Sequence, residues 1–115
     1  MAVSGIIGCA SKSAPVSDVD SATALINATF NEWKAGSSLD DQRKKEPPVY
    51  VAEELWLNGT QLSDFKITEP AQLFGTNVRI GVRVTTIDQF GSKLNRDLKY
   101  LVTTTPALTI AREDR

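Results

Sequence analysis

The fold is decided by an alternating stretch near the middle of the chain, Val78-Arg79-Ile80-Gly81-Val82-Arg83-Val84-Thr85. Branched apolar side chains occupy every second position, and arginine, glycine or threonine lies between them. Successive side chains of a strand point to opposite faces of its sheet, so this pattern predicts a β-strand with one buried and one solvated face. Such a strand needs other strands beside it and an apolar layer over its buried face.

Turn residues on both sides of this strand predict its neighbours. The stretch Asp88-Gln89-Phe90-Gly91-Ser92 predicts a hairpin turn, after which residues 94–103 return as a second strand. Further strands are predicted at residues 49–57, 62–68 and 108–110, bounded by Asn58-Gly59, by Glu69-Pro70 with a loop to Gly75, and by Pro106. The sequence therefore predicts an antiparallel meander of four or five strands.

The apolar layer is predicted to be a helix that precedes the strands. Apolar or small side chains recur at helical spacing after Ser17, at Ala22, Leu25, Ile26, Thr29, Phe30 and Trp33. Ser17 with Asp20 three residues later indicates the start of this helix, and Gly36 indicates its end. Trp33 lies on the apolar stripe and is therefore expected in the core.

A short second helix is predicted over residues 38–45, because Ser38 followed by Asp41 repeats the start signal and Pro47-Pro48 ends the helix. The predicted fold class is α+β: an N-terminal amphipathic helix and a short second helix packed on a curved antiparallel sheet of four to five strands. Residues 17–115 are expected to form a single domain, since the length is typical of one core and no internal repeat occurs.

Composition excludes several kinds of chemistry. The 115 residues include no histidine, which excludes Ser-His-Asp and Cys-His catalysis and imidazole metal sites. A single cysteine excludes disulfides within the chain and thiolate zinc clusters. We therefore expect neither a metal site nor a cofactor.

The charge balance argues against a nucleic-acid partner. The 13 Lys and Arg residues against 14 Asp and Glu residues give a formal net charge of -1, and basic side chains lie beside acids nearly everywhere. One dense basic run, Arg43-Lys44-Lys45, follows Asp40-Asp41 and precedes Glu46. We interpret it as a solvated helix end, because its charge is cancelled locally.

The first residues differ from the rest of the chain. The stretch Ile6-Ile7-Gly8-Cys9 resembles the bacterial lipobox, which ends a lipoprotein signal peptide, and the following Ser11-Lys12-Ser13-Ala14-Pro15 is typical of a tether. The resemblance implies cleavage after Gly8 and attachment of diacylglycerol to the Cys9 thiol, so Cys9 is the expected lipid anchor. Eight residues without Lys or Arg precede Cys9, so a complete signal peptide would need residues upstream of Met1. The alternative is a spare cysteine at a frayed N-terminus.

Residues 1–16 are accordingly interpreted as a signal remnant and tether. For Gram-negative lipoproteins, Ala10 after the cysteine implies the outer membrane, so the expected location is the cell envelope, on the periplasmic face of that membrane. Membrane contact is expected only through acyl chains on Cys9, since no stretch approaches the ~20 apolar residues of a span. A cytoplasmic location is the alternative if Cys9 carries no lipid.

The order of elements is similar to the cystatin-like and NTF2-like superfold, in which a curved sheet wraps an N-terminal helix. The resemblance is architectural, and the chain also resembles small uncharacterised bacterial lipoproteins. The superfold implies a pocket between sheet and helix, where enzymatic members place an Asp-His pair or two carboxylates. The chain has no histidine, and it also lacks the Gln-x-Val-x-Gly loop of inhibitory cystatins. Neither an Asp-His enzyme nor a cystatin-type inhibitor is therefore expected.

The candidate pocket residues are Trp56, as a side chain on which a ligand could stack, and the three acids Glu53, Asp64 and Asp97. A carboxyl group buried in a pocket could act as a base with a raised pKa. A structural role is the favoured alternative, in which Asp64 and Asp97 pair across strands with Lys66, Arg79 or Arg83, and one of Glu53 and Glu54 faces water.

The function predicted from these features is that of a non-catalytic binding or interaction module of a bacterial envelope lipoprotein. Its ligand, an unknown protein or small molecule, and its oligomeric state are not specified by the sequence. The alternative is a soluble NTF2-like small-molecule-binding protein or an enzyme that uses buried carboxylates. Apolar residues in two predicted loops, Leu73-Phe74 and Phe90, are expected to fold back over the core.

Overall fold

A computed structural model describes residues 16–113 of the chain. The helices are α1 (Val19–Lys34), α2 (Leu39–Arg43) and α3 (Glu54–Leu57), and the strands are β1 (Val49–Ala52), β2 (Gln61–Phe74), β3 (Asn77–Ile87), β4 (Lys93–Thr103) and β5 (Leu108–Glu113). The lipobox-like stretch, Cys9 and the tether up to Pro15 lie outside the described residues. No helix among residues 16–113 is long and apolar enough to cross a membrane.

The five strands form one mixed sheet in the order β1-β5-β4-β3-β2. Strands β2 to β5 are antiparallel neighbours, as the hairpin signals predicted. The prediction of a wholly antiparallel sheet is wrong at one edge, because β1 runs parallel to β5. A parallel pair needs a long connection between its strands. Here the whole β2–β4 meander forms it.

The predicted α+β class is confirmed, and the core lies between α1 and one face of the sheet. Alternate β3 residues Val78, Ile80, Val82 and Val84 are fully buried, as the alternating stretch predicted. Ile26, Phe30 and Trp33 of α1 pack in the same cluster. We call this side of the sheet the helix face and the opposite side the outer face.

Helix α1 begins one residue later than the sequence signal indicated. Its N-cap is Asp18, whose carboxylate accepts a hydrogen bond from the Ser21 amide at 2.7 Å, so the prediction of Ser17 as the cap is wrong. The Ser17 hydroxyl instead accepts a hydrogen bond from the amide of Thr104 at 2.9 Å. For α2, the predicted capping box between Ser38 and Asp41 is confirmed in both directions.

Two predicted strand ends are wrong. Residues 49–57 do not form one extended segment, because the Glu53 carboxylate accepts a hydrogen bond from the Leu55 amide at 2.8 Å and starts helix α3 after β1. Strand β2 continues through Glu69-Pro70 to Phe74. Proline is tolerated there because β2 is an edge strand, and its three register shifts absorb the irregularity.

The outer face carries polar side chains that pair across strands. Arg83 and Asp97 are register partners and form a two-bond ion pair at 2.8 and 3.3 Å, which confirms the predicted pairing of Asp97. Arg79 makes a similar pair with Glu113 at 2.8 and 2.6 Å. These contacts lower the pKa of both carboxyls, chiefly through the arginine hydrogen bonds.

Candidate functional site

An open groove of about 970 Å³ lies beside edge strand β1. It is lined by the end of α1, the α1–α2 turn and α2, by β1 and α3, which we call the β1–α3 wall, and by Thr109–Arg112 of β5. Two apolar side chains on the β1–α3 wall are exposed to solvent, Tyr50 to 48% and Leu57 to 71%. The groove is therefore both accessible and partly apolar, as binding sites for organic ligands generally are.

The wall carries one buried carboxylate, that of Glu53, which is only 1% exposed. One of its oxygens accepts the Leu55 amide hydrogen bond, and the other accepts a hydrogen bond from the Tyr100 hydroxyl. The same first oxygen lies 3.6 Å from Nε of Arg112. Both oxygens of Glu53 thus have partners within the protein, as a buried carboxylate requires.

These three residues come together because of the sheet register. Ala52 pairs with Ala111, so the next residues, Glu53 and Arg112, lie side by side. Arg112 in turn is the register partner of Tyr100. The polar residues Glu53, Arg112 and Tyr100 therefore form a row across β1, β5 and β4 on the helix face, bounded by the buried Val102 and Ile110.

The environment of Tyr100 keeps its hydroxyl protonated. Burial raises the pKa of Tyr100 far above its usual value of 10.0, and the neighbouring Glu53 carboxylate raises it further. The hydroxyl is consequently a hydrogen-bond donor to Glu53 at neutral pH. Its ring is fixed by an edge contact with Phe30 of α1, with the ring centres 5.2 Å apart.

Arg112 neutralises the acidic end of the groove. Besides Glu53, its guanidinium contacts the exposed carboxylate of Glu54 at 3.2 Å. The Arg112 side chain is 14% exposed, so its charge is held mostly within the protein by these two acids. Of the two glutamates, Glu53 is inside and Glu54 is in water, which fits the prediction that one of them faces solvent.

Two tryptophans join α1 to the groove. The rings of Trp33 and Trp56 are stacked at 5.1 Å and are nearly parallel. Each indole N–H donates to a backbone carbonyl, Trp33 to Thr60 and Trp56 to Ser37, both at 3.0 Å. Trp56 is 7% exposed and its ring already stacks on Trp33, so at most an edge of the ring is left for a ligand.

The four candidate residues do not share one site. Glu53 and Trp56 line the groove, whereas Asp64 and Asp97 lie outside it. Asp64 is exposed and lies 3.6 Å from Lys34 at the end of α1, instead of pairing across strands as expected. Asp97 is paired with Arg83 on the outer face. The structure therefore brings together one carboxylate and one tryptophan of the predicted set.

The sequence reasoning did not identify Tyr100 or Arg112 as partners of Glu53. In the sequence, Leu98, Tyr100 and Val102 occupy alternate positions of the predicted return strand and so share one side of it, and a buried tyrosine hydroxyl needs a hydrogen-bond partner. That requirement was the available signal. Arg112 could not be placed in the same way, because its position depends on the parallel pairing of β1 and β5.

The polar groups around Glu53 are engaged within the protein. Glu53 has no oxygen without a partner, its neighbour Tyr100 is a fixed donor, and Arg112 is engaged by two acids. Among the described residues, no cluster of three or more acidic or thiol ligands could hold a metal ion. What the groove presents to a ligand is a partly apolar surface and the open edge of β1.

No family model matches the chain, and neither do the curated proteins or the solved structures with which it was compared.

Proposed function

We propose that this chain is a non-catalytic binding module of a bacterial cell-envelope lipoprotein, and that its ligand occupies the groove between α2, α3 and β1. The single observation that carries the proposal is the open groove of about 970 Å³ along an edge strand. The order of elements in the sequence resembles that of cystatin-like and NTF2-like proteins, and this resemblance implies a pocket between helix and sheet. A fold does not specify a function, so the proposal rests on the groove itself.

The ligand we infer is an extended polypeptide segment. Strand β1 pairs only with β5 among the described strands, so alternate residues direct their N–H and C=O groups away from the sheet. Such an edge can accept a further strand, with backbone hydrogen bonds giving affinity. The sequence of β1, Val-Tyr-Val-Ala, is short, but it contains neither proline nor charge, two features that protect edge strands.

The opposite edge of the sheet differs in this respect. Strand β2 has three register shifts, contains Pro70 and carries the charged residues Asp64, Lys66 and Glu69. These features disfavour the pairing of β2 with another chain. Of the two edges, β1 is thus the one suited to a partner strand, and the groove lies beside it.

Peptide selection tests this proposal. A display library of random dodecapeptides is selected on the immobilised full chain and counter-selected on a Leu57→Asp variant, which places a charge in the groove. Leu57 is 71% exposed, so the substitution should leave the fold intact. Leu94→Asp is the matched control, because Leu94 is also an exposed apolar residue, at 52%, and lies outside the groove.

We expect enrichment of peptides with alternating apolar residues that bind the wild type and Leu94→Asp and bind Leu57→Asp at least tenfold more weakly. Binders that do not distinguish Leu57→Asp from Leu94→Asp would contradict a groove site. Failure to enrich any peptide on the wild type would contradict a polypeptide ligand.

A small-molecule ligand is the second candidate, since the groove volume lies within the range of about 300–1,000 Å³ typical of small-molecule sites. A metabolite library screened by thermal shift tests it, because a compound that binds only the folded state raises the unfolding midpoint. A shift in the wild type that Leu57→Asp abolishes would favour this candidate over the peptide.

The envelope location is tested separately on the protein isolated from the organism that produces it. We expect its mature N-terminus to be Cys9 carrying a diacylglyceryl thioether, as intact-mass and peptide measurements would show. An unmodified Cys9 thiol would contradict the tether and would leave the groove proposal unaffected.

A further inference from the structure

One end of the molecule combines exposed apolar side chains with the point at which the N-terminal segment joins the domain. Leu73 and Phe74, at the end of β2 before the Gly75 turn, are exposed to 55% and 48%. Val16, the first described residue, is 52% exposed. We call these three residues the apolar tip. Their exposure shows that the expectation of Leu73-Phe74 folding back over the core is wrong.

Hydrogen bonds fix the start of α1 beside this tip. The Ser17 amide donates to the carbonyl of Thr76 in the β2–β3 turn at 3.0 Å. The Ser17 hydroxyl accepts from the Thr104 amide, and the Asp18 amide donates to the Thr104 hydroxyl, both at 2.9 Å. Ser17 is only 3% exposed. Residues 1–15 therefore join the domain next to the apolar tip.

The two faces of the hairpin end both contribute apolar surface. Leu73 is the register partner of Val78 and shares its side of the sheet, the helix face. Phe74 lies on the other side, where the Arg79 guanidinium covers its ring at 4.6 Å from the centroid. The Arg79 charge is itself paired with Glu113. The hairpin end is consequently a wedge with an apolar group on each side.

The two turns at this end contain no charged residues, whereas the exposed Asp18 and Asp20 begin α1 beside them and Arg79 covers the Phe74 ring. Residues 70–78 contain no Asp, Glu, Lys or Arg, and residues 100–111 contain none either. The hairpin at the opposite end differs, because Asp88 and Lys93 flank its exposed Phe90. The interfacial region of a bilayer accepts an apolar surface at low cost and opposes an exposed charge; the charges nearest the tip, those of Asp18 and Arg79, are engaged by the Ser21 amide and by Glu113.

We propose that the apolar tip rests in the interface of the membrane to which Cys9 tethers the chain. This inference depends on the proposed lipid tether and adds a second, non-covalent contact to it. Cys9 and Val16 are seven residues apart, so the tether can span at most about 25 Å and keeps the tip close to the bilayer. Two weak membrane contacts together hold a protein far better than either one alone.

The contact sets the orientation of the domain. Strands β2 and β3 extend between the tip and the hairpin at residues 88–92. Insertion of the tip therefore directs these strands away from the membrane surface. The groove is lined mainly by α2, β1, α3 and the end of α1 that is far from the tip. In this orientation it faces the aqueous space. The binding groove stays accessible to a partner in that space.

Tethered-vesicle hydrogen exchange tests the proposal. The full chain has one cysteine, so Cys9 can be coupled selectively to a maleimide-headgroup lipid in phosphatidylethanolamine/phosphatidylglycerol vesicles. Amide exchange at residues 72–77 and 88–94 is compared with that of the same chain coupled to a soluble maleimide at equal protein concentration. We expect exchange at residues 72–77 to slow at least fivefold on vesicles, with no change at residues 88–94.

Matched variants identify the side chains responsible. Leu73→Asp/Phe74→Asp should abolish the slowing, and Phe90→Asp/Leu94→Asp, which changes two exposed apolar residues at the other end, should retain it. If circular dichroism shows that the first double variant is unfolded, Phe74→Ser alone serves, with an expected reduction of the slowing by at least half.

Three results would overturn the proposal. Equal exchange rates on vesicles and on the soluble maleimide would show that the tip does not contact the bilayer. Slowing at residues 88–94 would show that the opposite end of the domain faces the membrane. Slowing that depends on protein concentration on the soluble maleimide would indicate a second copy at the tip in place of the membrane. Because the coupling is chemical, these results do not depend on whether Cys9 is acylated in the cell.

Discussion

The hydroxyl of Tyr100 donates a hydrogen bond to the carboxylate of Glu53, which lies 47 positions earlier in the chain. The bond joins β4 to the residue that ends β1 and starts α3. It therefore connects the centre of the sheet to the wall of the groove, and the shape of the groove depends on it.

Removal of the Tyr100 hydroxyl should destabilise the domain. Tyr100→Phe keeps the ring contact with Phe30 but leaves an oxygen of Glu53 buried without a donor, at a cost of about 1–3 kcal/mol. Denaturant unfolding measures the change. Asp97→Asn is the exposed control, for which a smaller loss is expected because solvent screens the Arg83–Asp97 ion pair. A smaller loss in Tyr100→Phe than in the control would contradict the structural role of the bond.

Tyr100 should also set an alkaline limit to stability. Its folded pKa lies above the unfolded value of 10.0, so its contribution is complete below pH 10 and is lost as the pH rises beyond that value. Tyr100 should therefore contribute no tyrosinate absorbance at 295 nm in the folded protein at pH 11. The folded Tyr100→Phe variant should give the same absorbance as the wild type, and a smaller absorbance in the variant would show that Tyr100 ionises.

Acidification should weaken the fold. The pKa values of Asp18, Asp97 and Glu113 are lowered in the folded chain by hydrogen bonds from Ser21, Arg83 and Arg79 respectively. The unfolded chain therefore binds more protons in acid than the folded chain does. The stabilisation by these carboxylates is complete above the usual pKa values of 3.8 for Asp and 4.5 for Glu, and it is lost as the pH falls through their lower pKa values in the folded chain.

Urea midpoints at pH 7 and pH 3 measure this effect. The midpoint should fall between the two pH values, and the fall should be smaller in Asp97→Asn, which has no proton to bind at that position. An equal fall in the wild type and the variant would show that the Arg83–Asp97 pair contributes nothing to acid sensitivity.

Gly81 should not tolerate a side chain. It is the register partner of Glu69 at an irregular point of β2, and a Cβ atom at Gly81 would lie 2.7 Å from the Glu69 Cβ. Gly81→Ala should therefore cost about 1–3 kcal/mol through overpacking, as thermal unfolding would show. Thr85→Ala on the same face of β3 is the control. A Gly81→Ala variant as stable as this control would mean that β2 shifts freely at Glu69.

The contacts that Trp56 makes with Ser37 and Trp33 should contribute to the stability of the domain. Trp56→Phe removes the indole N–H that donates to Ser37 and most of the ring overlap with Trp33. We expect a loss of about 1–3 kcal/mol and a change in the near-ultraviolet circular dichroism. Unchanged near-ultraviolet signal in a folded variant would contradict the stacking.

Three elements were predicted from signals between residues that are close together in the chain. The alternation of β3, the stripe of α1 and the Ser38 capping box are all present, because each arises from residues close together in the chain. The parallel edge strand was missed, since pairing of β1 with β5 joins segments more than fifty residues apart and neither carries a signal for direction.

The candidate site was predicted in part for the same reason. Glu53 and Trp56 were singled out as residue types, and both line the groove. The burial of Glu53 could not be foreseen for two reasons. Its side chain caps helix α3 where a strand was predicted, and its partners Tyr100 and Arg112 come from the distant strands β4 and β5. Exposure of Leu73 and Phe74 was likewise decided by the extension of β2 past Pro70.

The most direct test of the central claim is amide hydrogen exchange of β1, Val49–Ala52, with and without a peptide selected on the wild-type chain. A peptide that adds as a strand protects the outward-facing amides of β1, so we expect their exchange to slow at least tenfold at saturation, with no slowing in the Leu57→Asp variant at the same peptide concentration. Unchanged exchange in β1, with protection elsewhere in the sheet, would contradict the claim that this groove is the binding site.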